Sequence, residues 1–270
     1  MYETNYHRPS SLAEAAQLFS GADDAAYLSG GHTLLPTMKQ RLAAPSDLID
    51  LTHIAELAGI EQSGDTLTIG AATTHAEVAA SSAVRGAIAA LADLAGSIGD
   101  SQVRHAGTIG GSVANNDPAA DYPSAVLALA ATVHTDKRAI AADDFFAGLY
   151  ETALDDGEIV TRIEFKVPSE AAYGKFRNPA SRYPMAGVFI ARHGDGVRVA
   201  VTGSGSDGVF RWTEAESAFA SDVSADAIGG LSVDANGLMS DIHGSAAYRA
   251  NLIKVMAQRA AANPGKATIV

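Results

Sequence analysis

Cysteine is missing from all 270 residues. That removes disulfides, thiol catalysis and any iron–sulfur cluster held by the chain's own thiolates. Positive charge is scarce: 19 Lys and Arg stand against 31 Asp and Glu, a formal net charge of −12. Nucleic-acid binding needs a basic stripe, and none is visible, so no nucleic-acid partner is expected. Nor does any apolar run approach the ~18 residues that cross a bilayer, so no membrane span is expected. The opening "MYETNYHRPSSLAEAAQLF" carries acidic side chains and no apolar signal core, which points to the cytoplasm. Among eight histidines no two sit at i, i+4 with a carboxylate, as a zinc hydrolase requires. No Gly-x-Ser-x-Gly elbow appears either. Neither a metal site nor a catalytic set of side chains is expected, and His75 and His105 read as surface residues or as residues behind a site.

What is present is a globular chain, 47% hydrophobic, long enough for one large domain or two to three small ones. Its texture changes twice. Residues 1–58 alternate helix and strand. "SSLAEAAQLF" carries Ser11 with Glu14 three residues on, a capping-box spacing, and Gly21 as a stop. "AAYL" reads as a strand running into Ser29-Gly30-Gly31, "TLLPTMKQRL" as a short helix with Pro36 early in it, and "DLIDL" as another strand. Residues 59–168 open with the strand "TLTIGAATT", and Thr74 with Glu77 make a second capping box. "VRGAIAALADLAGSI" reads as one helix and "YPSAVLALAA" as a buried one. "ATVHT" and "EIVTRIEFKVP" read as strands. Residues 169–270 contain the hairpin "MAGVFIARHGDGVRVAVTGSG" around Gly194-Asp195-Gly196. A helix over "SAAYRANLIKVMAQRAAANPG" follows, with basic residues toward its end and a Pro-Gly stop.

The glycines need separate accounts. "GSGSDG" (203–208) fits the dinucleotide pattern G-x-G-x-x-G, which requires a helix opening directly after it. "VFRW" follows instead, so this segment reads as a Gly/Ser turn. "SGGHTLLP" (29–36) and "GTIGGSVANNDPAAD" (107–121) each place a Gly-Gly pair before a small polar residue, Thr33 and Ser112. Two such loops facing one another would offer backbone N–H donors to a diphosphate without using basic side chains. Two ordinary tight turns account for the same spacing.

These two segments carry a family resemblance. The chain resembles the FAD-binding medium subunit of molybdenum hydroxylases, the family of the aerobic carbon monoxide dehydrogenase medium subunit and of the xanthine dehydrogenase flavin domain. "YLSGGHTLLPTMKQRLAAPSDLIDL" and "GDSQVRHAGTIGGSVANNDPAADYPSAVLAL" resemble the two flavin loops, and the second is the more specific. "DDFFAGLYETALDDGEIVTRIEFKVP", "YGKFRNPASRYPMAGVFIA" and "SDIHGSAAYRANLIKVMAQRA" follow in the family's order. The resemblance implies an α+β chain of the vanillyl-alcohol-oxidase type, with FAD between two subdomains, 1–58 and 59–168. A C-terminal subdomain, 169–270, of antiparallel strands and helices completes it.

The resemblance also implies a site. Ser29, Gly30, Gly31, His32 and Thr33 would flank the FAD pyrophosphate on one side, and Thr108, Gly110, Gly111 and Ser112 on the other. Asn115 and Asp121 match nucleotide-contacting positions, Asp121 as acceptor for a hydroxyl. Ile159 or Val160 matches an apolar position near the flavin ring, Lys175 or Arg177 a cation near it, and Tyr183 a tyrosine over it, here followed by Pro184. The implied role is electron relay. A large molybdenum-cofactor subunit would oxidise the substrate, a small subunit would carry two [2Fe–2S] clusters, and this chain's FAD would pass electrons to an acceptor, in a dimer of heterotrimers. A self-sufficient flavin reductase or oxidase, and a non-catalytic assembly subunit, are the rival readings.

Overall fold

The computed structural model describes residues 1–270. Three sheets are built in chain order. The first is parallel, with Asp47–Asp50 between Asn5–His7 and Ala25–Leu28. The helix Leu12–Gly21 connects its outer strands, and Ala15 on that helix joins Ile49, Ile54 and Leu57 in a small core. Ser11 caps this helix through the Glu14 N–H at 3.2 Å. The expected box is only half made, because the Glu14 carboxylate accepts from the Ser10 N–H instead. At Thr74 both halves of the box form.

The second sheet is antiparallel, in the order Ile60–Ser63, Thr66–Gly70, Val160–Lys166, Thr132–Thr135, Ala139–Ala141. Short helices cover one face of it, among them the fully buried Tyr122–Ala128. The single helix expected over 84–98 is two. Ser82–Ala87 ends after Gly86, Ile88 leaves helical geometry (φ −143°, ψ 76°) with its side chain buried, and Ala89–Gly96 resumes. Burying Ile88 while changing the chain's direction wins over continuing the helix. Another short helix, Ser101–Ala106, follows, capped by the Asp100 carboxylate on the Val103 N–H at 2.9 Å.

The third sheet runs Phe210–Arg211, Gly196–Thr202, Pro184–His193, Glu170–Arg177, Ala267–Ile269. His193 pairs with Gly196, so the hairpin turns on Gly194 and Asp195 alone. Its last strand pairs parallel with Glu170–Arg177. The chain reaches that edge after the helix Ala246–Ala261, and a connection of that length allows parallel pairing. One core crosses between the second and third sheets, with Ile163 and Phe165 packed among Tyr173, Phe189 and Ala200. None of the helices is long and apolar enough to cross a membrane.

Candidate cofactor site

A cavity of about 770 Å³ opens where the first sheet meets the helices of the second and a hairpin of the third. That volume lies within the range of small-molecule and cofactor sites. Its walls are the turn after strand Ala25–Leu28, the segment 107–121, the residues entering strand Val160–Lys166, and the tip 181–183.

The two glycine segments meet directly. A Cβ on Gly30 would lie on the Ala106 carbonyl oxygen and 2.5 Å from the Gly107 Cα, so the backbones could not approach this closely with any larger residue. The Ser29 and Thr108 hydroxyls lock the contact at 2.7 Å. Gly31 takes the left-handed conformation (φ 71°), and the helix Leu34–Lys39 starts three residues later.

The amides of the two segments do different work. The N–H groups of Gly30, Gly31, His32 and Thr33 donate to no atom of the chain, although these residues line the cavity. In the second segment the amides from Ile109 to Ser112 are spent, while that of Thr108 is free. Ile109 donates to the Thr73 carbonyl at 3.1 Å, Gly110 to the Ala71 carbonyl at 2.9 Å, and Ser112 to the Thr108 carbonyl at 3.1 Å. Gly111 donates to the Thr108 hydroxyl at 3.1 Å. Thr108 is the N-cap of a helix, Ile109–Asn115, so the stretch read as a loop is a helical turn. Gly110 is small because a Cβ there would press on the Ala71 carbonyl oxygen at 2.7 Å. Of the four residues expected to offer donors from the second segment, only Thr108 keeps a free amide. That segment also offers the free side chains of Ser112 and Asn115 to the same cavity.

Other site residues expected from the resemblance are brought together as well: Thr108, Gly110, Gly111, Asp121, Ile159, Val160 and Tyr183 all line the cavity. Ile159 and Val160 are buried apolar wall. Tyr183 is 48% exposed, at the mouth. Its phenol is pushed up from its ordinary pKa by partial burial and by the nearby carboxylates of Asp117 and Asp121.

Asp121 lines the cavity, and its carboxylate also accepts from the Tyr173 hydroxyl at 2.6 Å and the Lys175 ammonium at 3.0 Å. The expected cation near the ring needs correction. Lys175 does not face the cavity. It is wholly buried behind Asp121, where it also reaches the Ser97 carbonyl at 3.3 Å. Arg177 lies outside too, in a neighbouring groove, as the last residue of its strand.

Sequence reading missed several lining groups. Glu158 is held by Arg138 in a two-pronged pair at 3.0 and 2.9 Å and also accepts from Thr135 at 2.7 Å. The Arg138 guanidinium, against the cost of burial, holds its carboxyl down at about 2. His75, read as surface or background, is 5% exposed and lines the cavity. Burial, with Arg104 and His32 nearby, lowers its imidazole to about 4, so it is neutral. Its Nδ1 is buried without a hydrogen-bond partner, as is the hydroxyl of Tyr122, whose ring centre lies 5.3 Å away. His105 is exposed, as expected of a surface residue. The capping box at Thr74 was the one signal that His75 begins a helix and is thereby fixed in place.

A diphosphate cofactor fits this arrangement. Its lining combines unspent amides, apolar wall and a tyrosine, and Arg182 is the only lysine or arginine on it.

Comparison with known proteins agrees. Residues 2–169 match the family described as "FAD binding domain in molybdopterin dehydrogenase". The chain is 37% identical over 214 residues to the carbon monoxide dehydrogenase medium chain of Hydrogenophaga pseudoflava, covering 73% of each chain. It is 34% identical over 278 residues to the nicotine 6-hydroxylase medium subunit of Paenarthrobacter nicotinovorans, covering 97% of this chain and 98% of that one. Among solved structures, quinoline 2-oxidoreductase from Pseudomonas putida 86 superposes with a TM-score of 0.86 at 29% identity, over 97% of this chain and 96% of that one. The chain thus belongs to the FAD-binding medium subunits of the molybdenum hydroxylases, an oxidoreductase component whose cofactor is FAD.

Proposed function

We propose that this chain is the electron-transfer subunit of a heterotrimeric molybdenum hydroxylase. In that role it takes electrons from the [2Fe–2S] clusters of a small partner, reduced by a large molybdenum-cofactor partner, and delivers them to an external acceptor. The assembly is a cytoplasmic dimer of such heterotrimers, with 1–58 and 59–168 as the flavin-binding subdomains and 169–270 covering them. The observation that carries the reading is the run of four free amides, Gly30 to Thr33, on residues that line a cavity of cofactor size. The lack of cysteine supports it, since the clusters must then sit on another chain.

Bound FAD would supply the reversible redox chemistry, and this chain supplies binding and orientation. The amides of 30–33 hold the pyrophosphate with neutral donors, which an acidic protein can afford only through dipoles. Ser112 and Asn115 fix the nucleotide end. Ile159 and Val160 exclude water from one edge of the ring, and Tyr183 covers a face at the mouth. Asp121 contributes by bracing the third sheet against the site through Tyr173 and Lys175.

Co-expression with candidate large and small partners tests this. A purified complex should hold one FAD per copy of this chain and reduce an acceptor only when all three chains are present. Substrate turnover by this chain alone with FAD would instead establish a self-sufficient flavoenzyme, and a flavin-free complex with full activity an assembly subunit.

A further inference from the structure

Beside the cavity lies an open groove of about 660 Å³ whose charged side chains are all basic: Arg104, Arg177 and Arg182. Gly99 and Arg182 belong to both recesses, so the groove and the cavity share a rim. The Arg104 and Arg182 guanidinium groups each donate to one and the same oxygen, the Gly99 carbonyl, at 3.2 and 3.3 Å. Two like charges are thus drawn to a single acceptor.

None of the three has an ion-pair partner within the chain. The carboxylate of Asp100 lies near Arg104 and Arg182, which help hold its pKa below the usual range after the Val103 N–H, but it is committed to capping the helix Ser101–Ala106. Arg182 is moreover held in the left-handed region, φ 65°, inside a loop closed by Asn178. The Asn178 side chain accepts from the Ala180 N–H at 2.9 Å and the Ser181 N–H at 3.3 Å, and its carbonyl from the Arg182 N–H at 2.8 Å. In a chain with a net charge of −12, three convergent unpaired guanidinium groups make a local positive well that focuses anions. Their planar forks match phosphate oxygens two at a time.

We infer that this groove binds a small phosphate-bearing ligand, with a diphosphate the best match to three guanidinium groups, next to the cavity and separately from its occupant. The inference rests on the groove's own residues and not on the identity of what fills the cavity.

Inorganic pyrophosphate is the probe. The full chain is titrated by calorimetry at low salt after saturation with FAD, so that the amides of 30–33 are already occupied. Saturable one-to-one binding is expected, weakening as salt rises. The Arg177 side chain makes no hydrogen bond or ion pair within the chain, so Arg177→Gln leaves the fold alone and should weaken binding tenfold or more. Arg177→Lys should restore part of it. Arg104→Gln repeats the test at a second position. Absence of saturable binding, equal affinity in Arg177→Gln and Arg104→Gln, or release of FAD in proportion to bound pyrophosphate would overturn the inference. The last outcome would place the anion in the cavity itself.

Discussion

The hydroxyls of Ser29 and Thr108, 79 positions apart in sequence, share a hydrogen bond of 2.7 Å. This bond clamps the turn that offers free amides to the helix start whose amides, Ile109 to Ser112, are spent. Thr108 also caps that helix through the Gly111 N–H. Thr108→Val should therefore lose a cap, worth about 0.5–2 kcal/mol, and a side-chain bond, worth about 1 kcal/mol. Ser29→Ala loses the bond alone. Urea denaturation should rank the two in that order, and both variants should hold FAD less tightly. A Thr108→Val protein as stable as Ser29→Ala would show that the cap carries nothing.

Glycine substitutions separate close approach from ordinary helix propensity. Gly30→Ala puts a Cβ against the backbone of Ala106 and Gly107, which cannot yield as a side-chain tip can. A loss of about 1–3 kcal/mol is expected, together with loss of flavin. Gly86 lies in the helix Ser82–Ala87 with nothing within 4 Å of a Cβ. Gly86→Ala should raise stability by about 0.5–1 kcal/mol. Opposite signs in one denaturation series are the check.

The buried trio Asp121, Tyr173 and Lys175 answers to a double-mutant cycle. Lys175→Met strands the Asp121 carboxylate away from water, with one hydroxyl donor left at 2.6 Å. Breaking such a pair from one side costs about 3–5 kcal/mol. Adding Asp121→Asn removes the stranded charge, so the double variant should regain a good part of that loss. Additive losses would show that the two groups are not coupled.

Acid should weaken the fold in two separate windows. Burial holds the His75 imidazole at about 4 in the folded chain, below its ordinary 6.5. The unfolded chain takes up that proton first, so stability falls as pH drops from about 6.5 to about 4, by up to about 3 kcal/mol. The Arg138 pair holds Glu158 at about 2, below its ordinary 4.5. Its contribution is complete above 4.5 and is lost as pH falls toward 2. Unfolding free energy measured against pH should lose the upper slope in His75→Gln and the lower slope in Glu158→Gln. An unchanged upper slope in His75→Gln would mean that the imidazole titrates elsewhere.

Much of this site was legible because glycine pairs ahead of small polar residues mark places where backbone must come close. What closes on them was not. Gly30 faces backbone 76 positions away, and the amides of Ile109 and Gly110 are satisfied by Thr73 and Ala71. No local pattern records such partners. Lys175 and Arg177 are two apart in a strand and should share a face. Lys175 is covered by Asp121 and Ser97, whereas Arg177 ends the strand and lies exposed in the groove. Where the cover over a strand stops depends on distant segments and leaves no trace in the strand's own residues. The split at Ile88 was hidden for a similar reason, since apolar residues on both sides keep helical spacing through the break.

Tyr183 offers the sharpest test of how the cavity holds a flavin. It follows Arg182, whose left-handed backbone turns the chain, and precedes Pro184, which begins the strand Pro184–His193. The Asn178 N–H donates to the Tyr183 carbonyl at 2.8 Å, closing the loop and fixing the ring at the cavity mouth. Pro184 has no N–H to contribute to the ladder, and at a strand's first position none is needed. A tyrosine so placed can lay its ring on a flavin while the hydroxyl stays in contact with water. Stacking of this kind is worth about 0.5–1.5 kcal/mol, against several amide bonds to a diphosphate at about 1.5–3 kcal/mol each. Tyr183→Ala should therefore keep most of its FAD. With one face opened, its flavin absorption bands should shift and its reoxidation by small acceptors should quicken. Tyr183→Phe retains the ring and should match the parent in both bands and FAD content. The phenol lies near Asp117 and Asp121, which raise its pKa after burial does. Any difference that Tyr183→Phe shows should therefore appear only above the ordinary tyrosine range, where the parent ionises. Tyr183→Ala with unaltered bands and unaltered reoxidation would place this ring off the flavin, as a surface cap on its loop.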